Sequence, residues 1–405
     1  MVTTCPASAP VAVPDEGDGE DEEEGTAPPL PSAQSSTWKD DAVALLRLSV
    51  PLVLTALFTR TLMVQDLILI GHFLDTDAVA ATALGSTVYQ MFYYFLLGMG
   101  SAVDTMCSQS QGAGAHIDTV LWAQRGLFIL FLCAIPMILV LGFGSEWILC
   151  ELMRQDEGVA KMAATYIRVL LIGMPASICF DVLVKFLQSQ KIMMPFLYVS
   201  ISMNVFNIGL DVWLLSTIGF VGAPIATTTC RYLSILFLGV YVWYARLHEK
   251  HAAFPGWQMS EIVDTSACAR MLKMGLAGGV MVTAEVFCFE ITTIFAGQLH
   301  DKALLAAHFI MMSYIGSVYS ILPSSISVAS SIRVGNLVGE RDEKTARSTA
   351  MTGIVLGGAS MLISAGEHGP TRVVVSLLAR LARDGAMQCS HTCHKCHARA
   401  RWVGD

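Results

Sequence analysis

Eight apolar runs, each about the length of a bilayer crossing, follow one another along this chain and leave few folds open to it. They lie near 43–70, 84–108, 121–143, 162–185, 194–216, 221–245, 270–297 and 304–332, and a weaker ninth lies near 348–366. About twenty apolar residues span the hydrocarbon core as a helix. Lipid offers no partner to backbone N–H and C=O groups, so spans of this kind must be helices. Hydrophobic residues make up 54% of the chain and charged residues only 14%, against about 25% charged in soluble domains. The expected fold is therefore an all-α polytopic membrane protein of about eight or nine transmembrane helices.

The net charge of −8 misleads, because residues 1–36 hold eight of the acids, Asp15 to Glu24, and no Lys or Arg. The remainder balances at 25 acids against 25 bases. A segment this acidic and this poor in apolar residues is expected to stay disordered. The start has no basic region followed by an apolar core, so the first span is expected to act as its own insertion signal. The cysteines Cys107, Cys133, Cys150, Cys179, Cys230, Cys268 and Cys288 are scattered in or beside apolar runs, where a free thiol behaves as a small hydrophobe.

Loop charge orients the bundle. With the N-terminus inside, ten bases fall on the inner side: Lys185, Lys191, Arg246, Lys250, Arg270, Lys273, Arg333, Arg341, Lys344 and Arg347. Only Arg154, Lys161 and Lys302 fall outside. The positive-inside rule favours that orientation.

The chain also repeats itself. LLRLSVPLVLT (45–55) is similar to MLKMGLAGGVM (271–281), an offset of 226, and SQSQGAGA (108–115) falls opposite GNLVGERD (335–342). Six spans separate the copies, so both point the same way and the repeat is parallel. Transporters often carry their sites at the interface between two such lobes. The expected division is a tail over 1–40, a first six-helix lobe over 41–247, a cytoplasmic loop over 248–268, a partial second lobe over 269–366 and a divergent basic tail over 367–405. The last contains CSHTCHKCHARA (389–400), whose Cys and His spacing fits no standard zinc finger; no metal or other cofactor is expected.

Polar residues inside the spans are the functional candidates, since charge in hydrocarbon is costly. The run Met274–Gly297 contains Glu285 and Glu290 and no Lys, Arg or His. Five residues apart, they point roughly 140° from each other and sit about 7.5 Å apart along the axis. Desolvation disfavours a charged carboxylate, so these groups suit proton exchange and competition between a proton and an organic cation. In span 5, Asn204, Asn207 and Asp211 at i, i+3 and i+7 form one polar stripe, which must face the bundle interior. Asn204 reads equally as helix–helix glue, whereas Asn207 and Asp211 read as a cation or proton station. Asp66, late in span 1, is either an interfacial charge or a carboxylate facing that stripe. Asp181 and Lys185, four apart, are expected to neutralise each other. Arg60 and Arg168 either snorkel or line a cavity. No phosphate-binding Gly loop, nucleophile elbow or HExxH is present, so no enzyme is expected.

These residues resemble the multidrug and toxic compound extrusion (MATE) family over about 43–350. The resemblance is carried by VDTMCSQSQGAGA (103–115) and SIRVGNLVGERDEKTAR (331–347). It implies a secondary active antiporter that exports organic cations or drugs in exchange for protons or sodium. It also implies that Glu285 and Glu290 match the paired span-7 glutamates, with Glu285 tied to proton coupling. Asp66, Asn207 and Asp211 match a first-lobe ion site. The family's tryptophans beside the span-7 glutamate are replaced here by Val286 and Phe287. Twelve spans and an acidic residue in span 10 are implied, so the chain reads as C-terminally truncated. Two alternatives stay open: a fragment that binds or regulates a full-length relative, and a lipid-linked saccharide flippase. Expected partners are organic cation substrates, H+ or Na+, membrane lipids and a full-length relative, with no nucleic acid. The expected place is a plasma or vacuolar-type membrane.

Overall fold

The computed structural model describes residues 38–154, 156–245, 256–257, 259–298 and 321–366. Among them the chain is helical, as lipid demands of backbone that cannot hydrogen-bond to water. Helix α1 (Trp38–Phe73) is followed by α2 (Thr76–Met99), α3 (Ser101–Gly112), α4 (His116–Trp147), α5 (Glu157–Ser189), α6 (Met194–Ile218) and α7 (Gly222–Tyr244). A short α8 (Met259–Ile262) leads to α9 (Thr265–Gln298), α10 (Ile321–Gly339) and α11 (Glu343–Gly366). Five stretches among the described residues are long and apolar enough to cross a membrane: Trp38–Leu62, His116–Leu152, Glu157–Ser189, Met194–Tyr244 and Thr265–Phe289. The fourth holds both α6 and α7.

Helix ends differ from the apolar runs for definable reasons. Polar first turns are invisible to a hydropathy reading, so α1 starts at Trp38 rather than 43 and α2 at Thr76 rather than 84. The run 84–108 is not one helix. It divides at Gly100, and α3 beyond it is polar along much of its length, with Asp104, Thr105, Ser108 and Gln109. The carboxylate of Asp156 caps α5 by accepting from the Gly158 N–H at 3.0 Å, which satisfies one of the donors a helix start leaves open. Gly219, at φ +76°, ends α6; that left-handed conformation comes readily only to glycine. Helix α9 begins at Thr265, inside the expected loop 248–268, because Asp264 accepts from the N–H groups of Ser266 and Ala267 and starts it early. The first part of the run 304–332, the acidic tail and the Cys/His tail lie outside the described residues.

The main core lies between α2, α3, α4 and α5, with Tyr89, Leu96, Met99, Cys107, Leu141, Ile167, Met174 and Ile178 among its buried members. Helix α1 packs on α6 and α10, α6 on α7, and α7 on α5. Two seams join the later helices to this body. At the first, α9 lies on α2 with Gly278 against Gly98: a Cβ on Gly98 would come within 2.6 Å of the Gly278 carbonyl oxygen. At the second, α10 lies on α3. A Cβ on Gly112 would come within 1.9 Å of the Asn336 carbonyl oxygen, and one on Gly339 within 2.1 Å of the Gln109 carbonyl oxygen. The two aligned stretches of the repeat therefore meet, backbone on backbone, as small residues permit in a membrane. Polar contacts border the second seam. Asn336 donates to the Ser189 carbonyl at 3.2 Å. Asp41, fully buried at the start of α1, accepts from Arg333 at 2.8 Å and from Ser348 at 2.8 Å.

Candidate functional site

Three of the five residues singled out from the sequence meet in one place. Asp66 on α1 and Asn207 and Asp211 on α6 are all buried, at 7%, 0% and 0% exposure. The 3.6-residue period puts Asn207 and Asp211 on the face of α6 turned toward α1. The carboxyl groups of Asp66 and Asp211 are hydrogen-bonded to each other. Thr227, from the first turns of α7, donates its hydroxyl to Asp66 Oδ2 at 2.8 Å. Gln65 Nε2 donates to Asn207 Oδ1 at 2.9 Å and to the Asn204 carbonyl at 3.3 Å. Asn204 itself turns back to the Ser200 carbonyl of its own helix at 2.8 Å.

This arrangement answers two questions about Asp66. It is a buried carboxyl facing the span-5 stripe. Its neighbours are oxygen-bearing side chains: a second carboxyl, an amide and a hydroxyl. Two carboxylates at hydrogen-bond distance in a dry interior cannot both remain ionised without a proton or a cation between them. Tyr166 and Arg231 lie within electrostatic range of the pair.

Glu285 of α9 is not part of this cluster. Glu285 is exposed among the described residues, and the side chain of Glu290 lies outside them. The expected pairing of Asp181 with Lys185 is not found. Lys185 forms its ion pair with Asp104 of α3, and Asp181 instead accepts from the Tyr93 hydroxyl. Sharing one face of a helix allowed the first pairing, but neighbouring helices offered each group a closer partner. Arg168 pairs with Glu146 at 3.6 Å and donates to the Gly142 carbonyl at 3.1 Å. Sequence reading missed Gln65, Thr227 and Arg231. Arg231 carried a usable signal, since it is a lone base inside the apolar run 221–245. A threonine such as Thr227 carries none.

Comparison with known proteins places the chain in a family. A model of the MatE family matches residues 51–213 and 279–365, more than half of the chain and both aligned regions. The chain belongs to the MatE family. The mouse multidrug and toxin extrusion protein 2 is 32% identical over 337 residues, covering 82% of this chain and 57% of the mouse protein. A fission-yeast protein described as uncharacterized transporter C4B3.13 is 30% identical over 335 residues, covering 82% of this chain and 60% of its own length. The chain thus spans well under two thirds of these relatives. The crystal structure of the eukaryotic MATE transporter AtDTX14 superposes with a TM-score of 0.75 at 24% identity, over 85% of this chain and 78% of that one. A MATE structure in a bent conformation gives 0.72 at 17% identity, over 86% and 77%. At these identities the likeness speaks for the fold alone. MatE membership and the apolar helices make this an integral, multi-pass membrane protein of a transporter family, not an enzyme family.

Proposed function

We propose that this MatE-family chain takes part in exporting organic cations in exchange for protons, with Asp66 and Asp211 holding the proton. The observation that carries the reading is the hydrogen-bonded carboxyl pair buried between α1, α6 and α7. A carboxyl pair that shares a hydrogen bond shares a proton. Losing that proton leaves two negative charges close together, which a cation then stabilises. Thr227 holds the Asp66 carboxyl directly, and Asn207 ties α6 to α1 by accepting from Gln65. Competition between a proton and a cation for one anionic site is the elementary step of antiport. The relatives' names, which speak of multidrug and toxin extrusion, agree with an organic substrate.

The same reading gives Glu285 and Glu290 a second cation station on α9, separate from the first. It places the N-terminus and the loop over 248–268 on the cytoplasmic side, in a plasma or vacuolar-type membrane. Residues 41–247 act as the first lobe and 269–366 as part of the second.

The test is flux in proteoliposomes containing the 405-residue chain. An inward proton gradient is expected to drive counterflow of tetraethylammonium, and Asp211→Asn is expected to reduce it to the level of empty vesicles. Flux driven by a sodium gradient and indifferent to pH would replace the proton with sodium. No flux under either gradient, from folded protein, would sink the reading.

A further inference from the structure

A second polar cluster lies beside the carboxyl pair, one turn further along α7. Arg231 reaches into the space between α2 and α5. Its Nη1 donates to the Tyr89 hydroxyl at 2.8 Å and to the Ser177 hydroxyl at 2.6 Å. Its guanidinium carbon lies 5.3 Å from the centre of the Tyr89 ring and 5.8 Å from that of Tyr93. The two rings are stacked, with centres 5.9 Å apart and planes 13° from parallel. The Tyr93 hydroxyl donates to Asp181 Oδ2, and the Asp181 carboxylate lies within electrostatic range of the guanidinium.

Paired aromatic faces, hydroxyl acceptors and one carboxylate are the groups that recognise an organic cation. In this cluster the cation is the protein's own. A guanidinium bound through ring faces and hydroxyls, with its carboxylate one hydrogen bond away, is not locked in a direct bidentate pair. It leaves the carboxylate with capacity for another partner. Arg231 is also tethered next to Asp66, within electrostatic range of it, so a second anionic resting place is at hand when it leaves.

We propose that Tyr89, Tyr93 and Asp181, with Ser177, form a binding box for a small organic cation, and that Arg231 is a tethered occupant that fills it in this state. The box takes a guanidinium or quaternary ammonium head group, and an incoming cation binds by displacing the arginine. Only the identity of the natural occupant, an exported organic cation, rests on the antiport reading above.

The experiment needs no gradient. The purified 405-residue chain in detergent is titrated with tetramethylammonium and with methylguanidinium by calorimetry, against sodium chloride and urea as charge and shape controls. Removing the occupant with Arg231→Ala is expected to tighten both cations about tenfold relative to the wild type, with no change for urea. Arg231→Lys, which keeps a tethered cation, is expected to stay near wild type. Adding Asp181→Asn to Arg231→Ala is expected to abolish the gain. If Arg231→Ala does not fold, Arg231→Gln keeps polarity and part of the chain while removing the charge, and takes the same titration. A variant that binds the cations no better than wild type, or a gain that survives Asp181→Asn, overturns the box. Binding that improves while neither gradient drives flux would keep the box and remove the antiport reading; the reverse result would do the opposite.

Discussion

The seam between α3 and α10 and the polar interior between α1, α6 and α7 hold helices together by opposite means. At the seam, Gly112 and Gly339 bring backbone to backbone and Gly335 makes room for the Ser108 side chain, and the contact consists of closeness itself. In the interior, Asp66, Asn207, Asp211 and Thr227 hold their helices apart by the length of a side chain and bridge the gap with hydrogen bonds. Without a hydrophobic force between helices in lipid, packing and hydrogen bonding are what remains. This molecule assigns one to each region. The seam should be intolerant of volume and indifferent to charge. The interior should tolerate isosteric change in shape and respond sharply to charge.

The largest effect is expected at the seam. Gly112→Val places branched carbon where the Asn336 carbonyl stands, and no rotamer avoids it. Overpacking of this kind costs about 1–3 kcal/mol or more, and here the clash is with backbone, so loss of folded protein by size-exclusion chromatography is expected. Monodisperse, wild-type-like protein would break the comparison. Next comes Asp211→Asn, nearly isosteric, expected to leave the thermal unfolding midpoint close to wild type while proton-driven flux falls to background. A collapse in stability instead would make the carboxyl pair structural. Third is Asp41→Ala, which strips the Arg333 side chain, itself 21% exposed, of its carboxylate. Breaking a buried pair costs about 3–5 kcal/mol, and the partial exposure lowers the expectation to about 1–3 kcal/mol in denaturant titration.

A smaller effect of opposite sign sharpens the seam. Gly209 sits in α6 between Asn207 and Asp211 with open space where a Cβ would stand. Gly209→Ala should therefore be neutral or stabilise by up to about 1 kcal/mol, separating glycines that serve contact from one that does not. The smallest concerns pH. Asp342 and Asp264 are held below the ordinary carboxylate range by hydrogen bonds, from Thr345 to Asp342 and from Ser266 to Asp264. A depressed pKa adds stability above the unfolded value of about 4, and that stability is lost as pH falls below it. The unfolding midpoint of wild type should fall slightly more between pH 5 and pH 3 than that of Asp342→Asn combined with Asp264→Asn.

Much of this was legible in the residues. The stripe Asn204, Asn207 and Asp211 follows from helical period, and Asp66 from the cost of charge in lipid. Period alone could not say which stripe member does what. Asn204 spends its amide on its own helix, while Asn207 reaches α1. Thr227 was hidden because hydroxyls in membrane helices usually return to their own backbone, as Thr55 and Thr229 do, and only tertiary packing turns this one toward Asp66. Asp181 and Lys185 were assigned to each other because sequence shows partners along a helix and not across helices. Glu285 and Glu290 were placed correctly on one helix, α9. What faces them is a matter of neighbours, which spacing does not encode.

The glycine seam has a further consequence. Freezing a buried side chain costs conformational entropy for nearly every residue, but not for glycine. Gly112, Gly335 and Gly339 add no rotamers to those the seam must immobilise. Such a joint is nearly silent in side-chain entropy. Bonds that flank the joint lie elsewhere on α10, where Asn336 reaches the Ser189 carbonyl of α5 and Asp41 of α1 holds Arg333.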